Sequence, residues 1–303
     1  MLIDSVDAYL SLRRALGYKL RTEGHLLRSF ARFASRKRLA RFVKAVIAIE
    51  WAAGAPTPAA RERRLKVVAR FARHARSEDR RHEIPPVNAF GHHPSKRRPH
   101  IYSSEEIRAL MKAASRLGPI GSIRPHTYCT LIGLLAAAGL RVSEALALRV
   151  NDIGIDGLRI LETKFHKSRL VPLHPTVVAA VDRYLQRRRK ARPCTDHVFV
   201  TIAGAAIKYA TVQKTFVALR QKALKLAERS APPRLHDLRH TLAVRALEAA
   251  PKGSQLVGRH MRALATYMGH VSFLSTYWYL HATPHLMKTV ADACEAFVDG
   301  ETP

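Results

Sequence analysis

The sequence predicts a mainly α-helical chain of two helical domains, the second of which carries a small antiparallel β-sheet. Three observations predict it. Apolar residues recur at three- and four-residue spacing through residues 2–83 and again beyond residue 103. A proline- and arginine-rich stretch at 84–99 interrupts that periodicity. Two short segments, 157–162 and 169–173, read as strands on either side of a polar turn.

Thr22 stands where it can cap a helix whose apolar positions Leu26, Leu27, Phe30 and Phe33 recur on one face. Thr57 and Pro58 read as an N-cap with proline at the first helical position, and Leu65, Val68, Ala69 and Ala72 as that helix's buried stripe. Pro85, Pro86, Gly91, Pro94 and Pro99, with Lys96, Arg97 and Arg98 among them, make residues 85–100 an extended basic linker between domains at 1–84 and 101–303. Ser103 and Glu106 open the second domain as a capping box. Pro125 starts a strongly apolar helix that Gly139 can end in a left-handed cap, and a short helix follows from Val142. After the strands, Pro175 begins a helix ending in Arg187, Arg188, Arg189 and Lys190, read first as a solvated terminus favoured by the helix dipole and second as a DNA contact. Further helices are expected at 209–227, 236–250, 259–268, 272–279 and 284–297.

The charge is the unusual part of the composition. The chain has 52 Lys and Arg against 23 Asp and Glu, a formal net charge of +29, while its 47% hydrophobic content is that of an ordinary globular protein. The excess is spread over both domains: 23 basic and 8 acidic side chains up to residue 98 (+15), then 29 and 15 (+14). Such a balance points to a polyanionic partner, nucleic acid first and an anionic membrane surface second. The longest apolar run, 131–140, is half a membrane span and stops at Arg141, and no signal-peptide pattern accompanies Asp4 and Asp7. Cys129, Cys194 and Cys294 are scattered and odd in number, so a reducing cytoplasmic setting without metal or membrane is expected. Two helix faces concentrate cations: Arg28, Arg32, Arg36 and Lys37 on one, Arg63, Lys66, Arg70 and Arg73 on the other. Each is either a solvated face or a clamp on phosphates, and the scarcity of interleaved acids favours the clamp.

His236-Asp237-Leu238-Arg239-His240 admits three readings. It is a polar helix start with Asp237 in the first turn, or a two-histidine metal pair lacking the glutamate and third ligand of a zinc motif, or a His and an Arg converging on a phosphate. Arg141, directly after Gly139-Leu140, projects from a buried turn and either caps the apolar helix or joins that phosphate site.

Four ordered stretches carry a resemblance: 138–148 (AGLRVSEALAL), 163–173 (TKFHKSRLVPL), 235–241 (LHDLRHT) and Met268-Gly269-His270 with Tyr279. Over residues 101–285 they resemble the boxes of the tyrosine recombinases, the phage-integrase family, and the basic helices before them resemble that family's core-binding domain. The resemblance implies a fold of tyrosine-recombinase type, a helical core-binding domain plus a mostly helical catalytic domain with a small antiparallel sheet, closing as a C-shaped clamp on duplex DNA. It implies Arg141 and Arg239 as phosphate-clamping arginines, Lys164 as the β-turn lysine, His236 and His270 as active-site histidines and Tyr279 as nucleophile. Arg63, Lys66, Arg70, Lys96, Arg97 and Arg98 are the expected DNA contacts outside the active site.

The implied chemistry is cleavage and rejoining of duplex DNA through a 3′-phosphotyrosyl link, without cofactor, for integration or transposition of a mobile element. A phenol with a pKa of about 10 needs a base as it attacks, and fixed cations stabilise the charge gathering on the phosphate oxygens. A tetramer on paired sites follows from the resemblance, with other recombinases as further candidate partners. The alternatives are a non-catalytic DNA-binding protein on the same scaffold and a type IB topoisomerase-like enzyme that only relaxes DNA. Two features depart from the family pattern. Thr163-Lys164-Phe165 replaces a frequent Gly-Lys-Gly turn and leaves Lys167 as an alternative acid, and the stretch from Arg239 to His270, including 249–253, is longer than the common pattern and reads as a surface insertion. Glu144, Asp152, Asp237 and His240 are expected to support the site; His174, His260, His281 and His285 are expected on the surface or in packing.

Overall fold

A computed structural model describes residues 1–37, 41–91, 99–161, 168–224, 232–249 and 254–269. The chain forms two compact units, Met1–Arg97 and Arg98–Pro303.

The first unit packs four helices, α1 (Leu2–Ala15), α2 (Arg21–Arg36), α3 (Ala45–Ala53) and α4 (Pro58–Glu78). Its core joins Leu10, Leu27, Phe30, Trp51, Leu65 and Phe71, with Phe30 tilted against Trp51 at 5.5 Å between ring centroids. Thr57 caps α4 as expected, its hydroxyl accepting from the Ala60 N–H at 3.2 Å. Thr22 does not cap α2, because Leu20 takes the N-cap position with φ 37° and leaves Thr22 inside the first turn. The α2 stripe also shifts: Leu27, Phe30, Ala31 and Ala34 are fully buried while Leu26 and Phe33 sit at its edge.

The cationic faces differ in how much charge they keep. On α2, Arg28 pairs with Asp7 at 2.7 Å and Lys37 with Glu50 at 2.6 Å. On α4, Arg63, Lys66, Arg70 and Arg73 are exposed, and Lys66 is ion-paired with Glu62.

The second unit is built round α6 (Arg124–Ala138), against which α5 (Ser104–Ala114), α8 (Pro175–Lys190) and α10 (Leu235–Glu248) pack. Leu110, Leu131, Leu135, Phe199 and Phe216 are among its fully buried side chains. The capping box forms: the Ser103 hydroxyl accepts from the Glu106 N–H at 3.1 Å, and the Ser103 N–H donates to the Glu106 carboxylate at 2.9 Å. Between α7 (Val142–Ala147) and α8 lies an antiparallel sheet of β1 (Ile153–Gly154), β2 (Gly157–Ile160) and β3 (Arg169–Val171), in which Leu158 faces Val171. β1 is too short to leave a sequence pattern. Gly157 sits at φ 127°, and a Cβ there would stand 2.3 Å from the Val171 carbonyl oxygen, so no side chain fits the turn.

The basic end of α8 is not wholly solvated. Arg188 continues the buried spacing of Val181 and Tyr184, and its Nε donates to the His197 carbonyl at 2.9 Å. His174 caps the same helix through its ring nitrogen. Helix α9 (Tyr209–Ala223) and helix α11 (Ser254–Met268) follow the expected order, α11 beginning five residues earlier than its sequence pattern suggests. Val244, Leu247, Met261, Leu264 and Met268 join α10 to α11. The expected helices at 272–279 and 284–297 lie outside the described residues. Among the described residues no helix is long and apolar enough to cross a membrane.

Candidate active site

The site begins where α6 ends. Gly139 takes the left-handed conformation, φ 58°, and a Cβ there would lie 2.5 Å from Leu242 Cδ2 on α10 and 3.3 Å from Met268 Sδ on α11. Only glycine meets both demands without displacing a neighbour. The turn delivers Arg141 to the N-cap of α7. There its main-chain N–H donates to Glu144 Oε2 at 3.0 Å and its guanidinium to Glu144 Oε1 at 2.6 Å and to the Gly269 carbonyl at 3.1 Å. The Arg141 side chain remains 30% exposed. A guanidinium carries five N–H donors, so these anchors leave capacity for an anion.

Helix α10 supplies the second arginine. Arg239 is 2% exposed, and its two terminal nitrogens donate to Gly139 O at 2.6 Å and to the Met268 carbonyl. The two arginines therefore hold successive carbonyls, Met268 and Gly269, of the segment that runs into His270. The start of α10 is itself fixed. The Asp237 carboxylate accepts from the Arg234 N–H at 2.8 Å, and the Thr241 hydroxyl, bonded to the Asp237 carbonyl at 2.8 Å, accepts from the Tyr102 N–H at 2.9 Å.

His236, one turn before Arg239, is exposed. Protein atoms around the ring lower its pKa most, followed by the Arg239 charge, with Arg234 and Arg141 adding to it against the opposing pull of Asp237. His240 meets the His236 ring edge-on at 4.7 Å between centroids. Burial first, and His236 beside it next, lower His240 to about 4. Both imidazoles are thus held neutral at pH 7, and His236 is the exposed one of the two. No group of three or more His, Cys, Asp and Glu side chains able to hold a metal occurs among the described residues.

Glu144 links this cluster to the sheet. Burial alone would raise its pKa, but the Arg169 hydrogen bonds and then those of Arg141 hold the carboxyl down at about 2. Arg169 of β3 was not singled out from the sequence, although a signal exists. It lies two residues before the buried Val171 on the same face of the strand, so its charge points inward and needs a partner.

The structure brings Arg141, His236 and Arg239 together. Lys164, His270 and Tyr279 lie outside the described residues, as do Lys96, Arg97 and Arg98. Arg63, Lys66 and Arg70 lie along α4 in the other unit. The partly exposed Arg141 with His236 nearby can bind a phosphate, stabilise charge building on its oxygens and accept a proton close by, while the buried Arg239 fixes the chain behind them.

Comparison with known proteins places these features. Residues 101–285 match the phage integrase family. The chain is 37% identical over 296 residues to a protein of Sinorhizobium fredii described as an integrase/recombinase, y4rB, over 94% of each chain. A second protein of that organism, y4rE, described in the same words, is 31% identical over 302 residues, 98% of this chain and 96% of the other. In fold the chain is similar to the solved Tn1549 transposon integrase in complex with transposon right end DNA, with a TM-score of 0.66 and 18% identity over 98% of this chain and 100% of that one.

Proposed function

This chain belongs to the phage integrase family, the tyrosine recombinases, and from that premise we propose that it cleaves and rejoins duplex DNA site-specifically through a 3′-phosphotyrosyl intermediate, in the integration or transposition of a mobile element. The observation that carries the reading is the meeting of Arg141, Arg239 and His236 at the segment that leads into His270. The net charge of +29 and the cationic face of α4 support a duplex DNA partner. The transposon integrase of like fold supports a mobile-element role.

In this reading Tyr279 Oη attacks the scissile phosphorus in line, the Oη–P bond forms and the P–O5′ bond breaks. The phenolic proton goes to His236, whose neutral ring suits a base at pH 7. Arg141, Arg239 and His270 hold the non-bridging oxygens most tightly in the pentavalent transition state, which is where binding accelerates the step. Lys164 protonates the departing 5′-oxygen. The phosphotyrosyl link stores the bond's energy, so the reverse attack by a 5′-hydroxyl rejoins the strand without a nucleotide cofactor. Exchange between two sites requires self-association on paired DNA, with four protomers for two duplexes.

The test is incubation of the full chain with nicked duplexes drawn from the ends of its element, scored for a protein–DNA adduct that survives denaturant. Tyr279→Phe abolishes the adduct and leaves binding intact, while the same change at Tyr277, the neighbouring tyrosine two residues earlier in the sequence, retains it. Binding without an adduct on any such duplex would refute the cleavage reading.

A further inference from the structure

We propose that Arg169 is a positioning residue, the counter-ion that keeps Glu144 from neutralising Arg141 and so leaves the Arg141 charge available to a DNA phosphate. The inference rests on the recombinase reading above and adds a residue to its machinery.

Glu144 is shared unequally. Its side chain is 6% exposed, so its negative charge must be matched by protein. Arg169 meets it with two prongs, Nη1 to Oε1 at 3.1 Å and Nη2 to Oε2 at 2.8 Å, while the Arg141 guanidinium reaches it through Nη1 alone, at 2.6 Å. The third nitrogen of Arg169 donates to the Tyr267 carbonyl at 2.9 Å, and its side chain is 10% exposed. Every nitrogen of that guanidinium is therefore engaged with protein, and the partly exposed Arg141 is the member of the trio left facing outward.

The neighbouring main chain is shaped to allow this. Gly269 adopts φ 65°, and a Cβ there would fall 2.8 Å from Arg169 Nη1, so the glycine lets the guanidinium lie against the segment whose carbonyl Arg141 holds. With Arg169 in place the trio carries a net charge of +1. Without it, one buried carboxylate faces one arginine and the sum is zero. Glu144 would then draw the Arg141 fork into a two-pronged pair and away from the phosphate.

The full chain is tested for single-turnover adduct formation on a nicked duplex and, separately, for the slope of log K against log salt in duplex binding. Arg169→Gln lowers the adduct rate about 100-fold and flattens the salt slope by about 0.9, the loss of one phosphate contact. Arg169→Lys, which keeps the charge, restores most of the rate. Adding Glu144→Gln to Arg169→Gln returns the net charge to +1 and recovers at least ~10-fold together with the wild-type slope. A merely structural role for Arg169 predicts the opposite sign, because the second substitution removes another bond. Wild-type behaviour of Arg169→Gln, or a deeper loss in the double variant, overturns the inference. Thermal melts accompany each variant. If Arg169→Gln alone does not fold, the double variant still decides, since its slope must match wild type. If wild type forms no adduct, the cleavage reading fails while the binding slopes still judge Arg169.

Discussion

The carbonyl of Gly139 accepts a hydrogen bond from the buried Arg239 guanidinium at 2.6 Å. One glycine thus ends α6, admits Leu242 and Met268 against the turn, and fixes the arginine that holds the chain before His270. A backbone position two residues before Arg141 anchors the other phosphate-binding candidate.

Gly139→Ala is therefore expected to harm more than the turn. The positive φ costs about 1 kcal/mol for a residue with a Cβ, and the methyl would meet Leu242 Cδ2 at 2.5 Å. The leucine tip can move, so the chain folds with its thermal midpoint lower by several degrees, and Gly139→Val, which adds a branched side chain, is worse. An unchanged midpoint in the alanine variant would contradict the close approach.

Arg239→Lys keeps the charge and removes the fork. A single ammonium cannot reproduce the two bonds to the Gly139 and Met268 carbonyls, which leave from separate guanidinium nitrogens. The expected result is a fall in adduct formation of about 100- to 1,000-fold, with duplex binding retained. A lysine variant within a few-fold of wild type would mean that the charge matters and its geometry does not.

Much of this architecture was legible in the sequence, for identifiable reasons. The Ser103–Glu106 box, Thr57 with Pro58, and Gly139 are local devices whose chemistry is complete within four residues. The pairing of Arg141 with Arg239 was legible through the family's ordered boxes, which record which distant segments meet. Two features were not legible, and a third only in part. Leu20 displaces Thr22 as a cap because the backbone adopts a conformation that the side chains do not announce. Arg188 belongs to a run of four cations, and only the inward face of α8 separates it from its solvated neighbours. Arg169 acquires its role from Glu144 on α7 and Tyr267 on α11, partners that its strand's own pattern cannot name.

The two histidines of α10 give a signed pH dependence. His236 and His240 are both lowered from the ordinary 6.5, chiefly by burial, and His240 reaches about 4. Unfolded, both rings take up protons near 6.5; folded, they resist. Stability from this source is complete above pH 6.5 and is lost as the pH falls towards and through 4. Glu144, lowered from 4.5 to about 2, contributes a loss of the same sign only at the acid end of that range. Thermal midpoints measured from pH 7.5 to 4 are expected to fall in wild type and to fall less steeply in His240→Asn. A flat profile between 6.5 and 4.5 would refute the depressed histidines.

The face of α4 separates charge from availability. Arg63, Lys66 and Arg70 are all exposed, but Lys66 is ion-paired with Glu62 one turn away. A lysine that must leave an acid to reach a phosphate gains less from DNA than an arginine without that competitor, because the ion pair is exchanged and not simply added. Arg63→Gln and Arg70→Gln are each expected to reduce the salt slope of duplex binding by about 0.9, and Lys66→Gln by distinctly less. Glu62→Gln releases the lysine and steepens the slope. Equal effects at all three positions would show that the pair does not restrain Lys66, and no effect at any of them would remove α4 from the DNA-binding surface.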